Sequence, residues 1–369
     1  MSATDWWPVR AVLLVLSLIG IGLILRFARR SVSVALAVML VLTLAVVDVA
    51  AAVNASYRYL PTLGVALGLG GADDIRDAYA DRARGRVPEN GLVVSATLPG
   101  TRSGFAAREA IAYLPPAWFG VDRPELPVLV LLHGTPGGPG DWADGGRATS
   151  TLDAFAAQHG GLAPVVVMPD VNGDFIGDTE CVDSPGGDAE TYLTADVPRA
   201  VQQQFSTRPP GTQWAIAGFS EGGMCALLLT LRHPGTFGTF GDFSGLLGPR
   251  AGETDEGVPA TVAQYFGGSQ REFAAHDPAT LLGSRRFPGT GGWFEVGGTD
   301  TDSAAAATRL APSARQAGIE TCLVVLDGLG HSFEAWSAAL RDSLPWMAAR
   351  LGLVPPNPAA TAKCRPPPS

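Results

Sequence analysis

The stretch Gly218-Phe219-Ser220-Glu221-Gly222 constrains this chain more than any other. It stands between a strand-like run, Trp214-Ala215-Ile216-Ala217, and a helix-like run from Met224 to Leu231, which is the setting of a nucleophile elbow. Glycines two before and two after the serine let the backbone take a strained turn and keep Cβ atoms away from it. The Ser Oγ is then presented at the top of a sheet. Such a strand-turn-helix unit predicts an α/β fold with a mostly parallel sheet flanked by helices.

A serine nucleophile needs a base and an acid, and in this setting they follow it in the order Ser, Asp/Glu, His. The run Gly292 to Val296 reads as a buried strand ending in Gly297-Gly298-Thr299-Asp300-Thr301-Asp302. A second run, Thr321 to Leu326, leads into Asp327-Gly-Leu-Gly-His331, so His331 lies between the last strand and the last helix. Both groups thus sit beyond strand C-termini, where α/β sheets bind ligands. Ser220 is expected to attack and His331 to take and return its proton, while the carboxylate fixes the imidazole tautomer. Asp300 is assigned the acid role, with Asp302 the alternative, since either could also cap the Ala-rich helix from Ser303.

An oxyanion hole requires backbone N–H groups aimed at the developing negative charge. One donor is the N–H of Glu221, directly after the nucleophile. The other comes from His133-Gly134-Thr135-Pro136, after the strand-like run Leu126 to Leu132. Thr135 is chosen there because Pro136 has no N–H.

The strand-His133-Gly134 loop, Met168-Pro-Asp-Val-Asn-Gly-Asp-Phe175, Gly218-Phe-Ser-Glu-Gly-Gly223, Gly297-Gly-Thr-Asp300 and Gly328-Leu-Gly-His-Ser-Phe-Glu-Ala-Trp336 together resemble the esterase D family of α/β-hydrolases. That family includes S-formylglutathione hydrolases, feruloyl and enterochelin esterases and the antigen 85 mycolyltransferases, and the likeness spans about residues 90 to 352. The resemblance implies an α/β-hydrolase fold, Ser220, Asp300 and His331 as nucleophile, acid and base, and Thr135 and Glu221 as oxyanion donors. The Gly-x-x-Asp spacing from Gly297 favours Asp300 over Asp302. The segment from His331 to Trp336 is closest to the mycolyltransferase pattern, but those enzymes carry a glutamate acid in a different local sequence. Trehalose-mycolate specificity is therefore not carried over.

The other histidines read as structural: His133 in the oxyanion loop, His159 and His233 near helix C-termini where a cation suits the dipole, and His276 before Asp277-Pro278. No HExxH, CxxC, Walker or dinucleotide pattern occurs, so no metal and no cofactor is expected.

The first sixty residues differ in kind. Ala11 to Leu25 carries no charge between Arg10 and Arg26, and Ser31 to Val47 is apolar again. A two-helix transmembrane hairpin over 1–55 is the expectation, preceding the hydrolase domain. Its tip of Arg26, Arg29 and Arg30 would be cytoplasmic, leaving the catalytic domain outside. Residues 56–89 read as an interfacial and spacer linker, 90–352 as one catalytic domain, and the Pro-rich 353–369 as a disordered tail.

The formal charge is -9; Arg10, Arg26, Arg29, Arg30 and Arg58 against Asp5 and Asp48 make the membrane part about +3, so the rest is near -12. That argues against nucleic acid as a partner. Four cysteines allow three pairings if the domain is exported. Cys322 reads as a buried small hydrophobe. Cys181 to Cys225 is the preferred bond, because both lie near the elbow end of the sheet; Cys364 is the competing partner.

The function expected is a membrane-anchored serine esterase acting on a small-molecule, lipid or sugar ester through an acyl-enzyme. An envelope acyltransferase with the same triad is the alternative, and an inactive membrane-tethered binding module a second one.

Overall fold

Val128–Leu132 is apolar at every position and every residue is buried, the pattern of a strand covered on both faces. It lies inside an eight-stranded sheet of β1 (Leu92–Ala96), β2 (Ala110–Leu114), β3 (Val128–Leu132), β4 (Val165–Met168), β5 (Gly211–Phe219), β6 (Phe237–Phe243), β7 (Gly291–Gly297) and β8 (Glu320–Leu326). The computed structural model describes residues 15–22, 31–57, 72–120, 125–251 and 257–364.

The strands run in the order β1-β2-β4-β3-β5-β6-β7-β8. β2 is antiparallel to both of its neighbours, and every other pairing is parallel. This is the α/β-hydrolase arrangement expected from the sequence. The register sets Leu132 beside Gly218, Phe219 beside Phe243, and Leu326 beside Gly297. The C-terminal ends of β3, β5, β6, β7 and β8 therefore share one rim, and the loops that leave them share one end of the sheet.

The helices of this unit are α2 (Ile75–Ala83), α3 (Ala148–Gln158), α4 (Val197–Phe205), α5 (Glu221–Arg232), α6 (Val258–Tyr265), α7 (Gln270–Ala275), α8 (Pro278–Ser284), α9 (Thr301–Gln316) and α10 (Phe333–Arg350); α1 (Ser31–Tyr57) precedes them. In α5 every residue from Glu221 to Leu231 is buried. Its sequence is apolar all round, as a helix enclosed by the core requires. The side chains of Trp118, Trp142, Trp214 and Trp293 are also fully buried. The indole N–H groups of three of them donate to the carbonyls of Phe205, Leu132 and Arg208 for Trp118, Trp142 and Trp214 respectively, so their burial leaves no polar cost.

The chain divides into two units, Met1–Gly71 with Ser332–Glu334, and Ala72–His331 with Ala335–Ser369. No helix among the described residues is long and apolar enough to cross a membrane, so the two-helix hairpin over 1–55 is not found among them. Residues 15–22 form about 12 Å of helix, too short to span; the rest of that first span and the arginine tip lie outside the described residues.

The spacer is not free chain, because Asp73 bridges Val94 and α2 packs by its buried Ala78, with Arg82 stacked 4.7 Å over the Trp118 ring. The tail is held as far as Cys364. A short 3-10 turn at Pro358–Thr361 precedes a disulfide from Cys364 to Cys322 and an ion pair of 2.5 Å from Lys363 to Asp342. Cys322, expected to be a buried small hydrophobe, is buried as expected and is also a half-cystine.

Candidate active site

Ser220 joins β5 to α5 with φ 55° and ψ -124°, a conformation that costs a non-glycine residue about 1–3 kcal/mol. Neighbouring bonds hold it there. Its N–H donates to Phe243 O at 2.9 Å, and its carbonyl accepts from the N–H groups of Gly223 and Met224 at 2.9 and 3.2 Å. The flanking glycines are required by close approach. A Cβ on Gly218 would stand 2.3 Å from the Gly222 carbonyl, and one on Gly222 would stand 2.5 Å from the carbonyl oxygens of Leu132 and His133.

Across the rim, His331 Nε2 lies 3.0 Å from Ser220 Oγ, and its Nδ1 lies 2.7 Å from Asp300 Oδ2. With the proton on Nδ1, the ring donates to Asp300 and offers Nε2 to the serine hydroxyl. The loops that carry the pair are tied together: Gly298 N–H donates to Leu326 O at 2.7 Å and Thr299 N–H to Leu329 O at 2.9 Å. Asp300 is buried, whereas Asp302 is exposed on the first turn of α9. Burial pushes the Asp300 carboxyl up, but the hydrogen bond and charge of His331, then the Ser303 and Ser244 hydroxyls, outweigh it and leave it below the usual carboxylate range. Trp336 packs edge-on against His331 at 5.0 Å and stacks on Phe219 at 4.2 Å, which fixes the imidazole from one side.

The loop after β3 abuts the nucleophile, since a Cβ on Gly134 would lie 3.0 Å from that of Ser220. Glu221 opens α5, so its N–H has no intrahelical acceptor. Among the described residues neither that N–H nor the one on Thr135 reaches a backbone acceptor. The arrangement can therefore transfer a proton from serine to histidine.

Sequence reasoning missed the supports beneath this site. Asp170, fully buried, accepts from the Arg108 guanidinium at 2.6 and 3.1 Å, from Arg108 N–H at 2.7 Å, and from the N–H groups of Asn172 and Gly173, while His133 Nε2 lies 3.2 Å away. Burial raises this carboxyl, but the bonds from His133 and Arg108 dominate and hold it well below the usual range. Arg108 also donates to Gly137 O at 3.0 Å. Asp170 thus binds the loop after β4 to the loop after β3. The segment from Met168 to Phe175 carried the signal, but its partners lie far away in sequence.

Cys181 and Cys225 form the expected disulfide, with Cα atoms 5.7 Å apart, fastening the loop after β4 to α5. Together with Glu221 they are the one group of three potential metal ligands among the described residues. Their sulfurs are bonded to each other and offer no thiolate. His133 is buried in the loop after β3. His233 and His276 have a more specific place than helix ends: both face buried Glu190, at 2.6 and 3.0 Å, beside Arg232 at 2.6 Å.

A family model described as "Putative esterase" matches residues 106–347, and the chain belongs to that esterase family, of the esterase D and antigen 85 type. A protein of Corynebacterium glutamicum is 38% identical over 326 residues, covering 84% of this chain and 75% of the relative. The diacylglycerol acyltransferase/mycolyltransferase Ag85A of Mycobacterium leprae is 40% identical over 60 residues, 16% of this chain and 18% of that protein. Among solved structures, a ferulic acid esterase superposes with TM-score 0.60 at 22% identity, covering 71% of this chain and 98% of that one. An S-formylglutathione hydrolase from Agrobacterium tumefaciens does so with TM-score 0.61 at 21% identity, covering 72% and 97%. At these identities the superpositions speak for the fold. Family and fold make the chain a serine hydrolase of the esterase class.

Proposed function

We propose that this chain is a membrane-anchored serine carboxylesterase facing outside the cytoplasm, with Ser220, His331 and Asp300 as its triad. The observation that carries the reading is the chain of contacts from Ser220 Oγ to His331 Nε2 and from Nδ1 to Asp300 Oδ2, at 3.0 and 2.7 Å. Ser220 Oγ attacks the ester carbonyl as its proton passes to His331 Nε2. The N–H groups of Thr135 and Glu221 receive the oxyanion, and the imidazolium returns the proton to the departing alcohol. Water then attacks the acyl-enzyme, giving its proton to His331, and collapse releases the acid and restores Ser220.

Export is supported by two disulfides, which persist in oxidising compartments. Anchoring is supported by α1, where Val38, Met39, Leu40, Leu42, Val46, Val47 and Val49 are 41 to 69% exposed. Exposed apolar residues of this kind, spread around a helix, are suited to lipid more than to water.

The test is Ser220→Ala. It is expected to abolish labelling by a fluorophosphonate probe and to lower turnover of p-nitrophenyl butyrate by about 10³-fold or more; near-normal turnover rejects the assignment. A second reading, acyl transfer, is favoured by the 60-residue likeness to the mycolyltransferase. Transfer requires an acceptor bound tightly enough to outcompete water. Adding trehalose, arabinose or glycerol to the same assay is expected to leave free acid as the main product, whereas an acylated sugar as principal product would make the enzyme a transferase.

A further inference from the structure

The side chain of Glu221 lies where the loops after β3 and β4 meet the start of α5. Its Oε2 contacts Thr135 Oγ1, in the loop after β3, and Asn172 Nδ2, in the loop after β4, the latter at 2.8 Å; its Oε1 accepts from Glu180 N–H at 3.2 Å. Asn172 Nδ2 also donates to Thr135 Oγ1 at 2.5 Å, and Thr135 Oγ1 donates to Gly177 O at 2.9 Å.

Counting protons constrains the state of this cluster. The Thr135 hydroxyl has one hydrogen, and the Gly177 carbonyl can only accept. With that hydrogen on Gly177 O, the contact between Thr135 Oγ1 and Glu221 Oε2 needs a hydrogen from the carboxyl. A neutral Glu221 satisfies all members at once: its O–H donates to Thr135 Oγ1, Oε2 accepts from Asn172, and Oε1 accepts from Glu180. An ionised Glu221 keeps the bonds from Asn172 and Glu180 but competes with Gly177 O for the single threonine hydrogen, so one of the two threonine contacts is lost.

From this geometry we infer that the Glu221 carboxyl, in its neutral form, is a positioning residue that holds the Thr135 loop against the nucleophile so that the two oxyanion N–H groups converge. The inference rests on the esterase reading of the site. It also accounts for a carboxyl next to the nucleophile, at a position from which that reading needs only the backbone N–H.

The electrostatics agree. Burial raises the Glu221 carboxyl to about 7, the charge of Asp178 adds to this, and the Thr135 and Asn172 bonds and the His133 charge oppose it. The facing groups are Asp178 and Glu180 from the loop after β4, His133 from the loop after β3, Tyr265 from α6, and Arg250, which faces Glu180. Glu180 is itself raised well above its ordinary value, by burial first and then by the charges of Asp178 and Glu221.

The experiment is the pH profile of kcat for p-nitrophenyl butyrate from pH 5 to 9, for the full chain and its variants. The wild type is expected to lose kcat as pH rises through about 7 and above, KM changing little, because ionisation releases the Thr135 loop. Glu221→Gln cannot ionise. Its profile should lack that descending limb, with kcat at pH 6 lowered by about tenfold, since one amide nitrogen cannot both donate to Thr135 and accept from Asn172. Glu221→Ala should lower kcat about 10²-fold, in the range of a lost oxyanion donor.

Thr135→Val should give the same flat profile, and Thr135→Ser, which keeps the hydroxyl, should retain the descending limb. That pair carries the test if the Glu221 variants do not fold. A wild-type kcat that stays level to pH 9, or a descending limb that persists in Glu221→Gln, overturns the inference while leaving the triad intact. Activity in Ser220→Ala overturns instead the reading on which it rests.

Discussion

Asp300→Asn is the sharpest probe of the site, because it changes one atom and leaves the shape. Asp300 Oδ2 accepts the Nδ1 hydrogen of His331 at 2.7 Å, which leaves Nε2, 3.0 Å from Ser220 Oγ, as an acceptor. An asparagine that turns its Nδ2 hydrogens toward Nδ1 forces the ring hydrogen onto Nε2. Two donors then face each other across the nucleophile contact, and the charge that stabilises the imidazolium is gone. The expected loss is about 10⁴-fold in kcat, or about 5.4 kcal/mol of transition-state stabilisation. KM should stay within about threefold, because Asp300 lies behind the imidazole and does not face the ester. Steady-state hydrolysis of p-nitrophenyl butyrate and the rate of fluorophosphonate labelling both read this, since both require the base. Asp302→Asn is the control. Its carboxyl is exposed on α9, and an exposed change of this kind shifts free energies by about 0.5 kcal/mol or less. An Asp300→Asn enzyme that keeps a tenth of wild-type kcat, or an Asp302→Asn enzyme that loses more, refutes the assignment.

The disulfide from Cys322 to Cys364 spans 42 residues, and the chain-entropy estimate for a loop of that size is about 4 kcal/mol. Cys364→Ser should lower the melting temperature while leaving kcat at 25 °C within about twofold, since the bond lies away from the site; an unchanged melting temperature would mean the tail contributes nothing. Stability should also fall as pH rises from 5 to 8.5. Burial raises Asp242 to about 7, against a lowering by the Gly245 N–H bond, and raises Glu295 to about 8, against a lowering by the Trp293 indole; Glu221 is raised to about 7. Between the unfolded values near 4 and these folded values the native state binds more protons than the unfolded one, so that stability is full below about 4 and is lost as pH rises through 7 to 8. The carboxyls of Asp170, Glu190 and Asp300 act oppositely and limit stability on the acid side. Asp242→Asn should flatten the alkaline decline in melting temperature, and a melting temperature that climbs from pH 5 to 8.5 contradicts the sign.

What was legible in the sequence was what chain order and strand ends determine. Ser220, Asp300 and His331 each follow a strand of period or apolarity strong enough to recognise, and parallel pairing then brings the ends of β5, β7 and β8 to one rim. The docked tail was not legible. A Pro-rich segment reads as free chain until Cys364 finds Cys322 and Lys363 finds Asp342, pairings 42 and 21 residues apart that composition does not encode. Helix α2 was hidden in the same way, because the charges of Asp77, Asp81 and Arg82 disguise a helix whose buried contact is Ala78.

Glu221 shows the limit most clearly. In the sequence it is merely the residue after the nucleophile, where an N–H is all the chemistry asks. Its side chain points away from solvent into loops 41 to 86 residues distant, and a buried carboxyl is tolerated only if it is neutral or fully bonded. Thr135, Asn172 and Glu180 supply those bonds, so the loops after β3 and β4 are tied to the nucleophile turn through a single acid. Such a tie leaves no local pattern in any one of the segments, and it becomes visible only when the strands that carry them are in register.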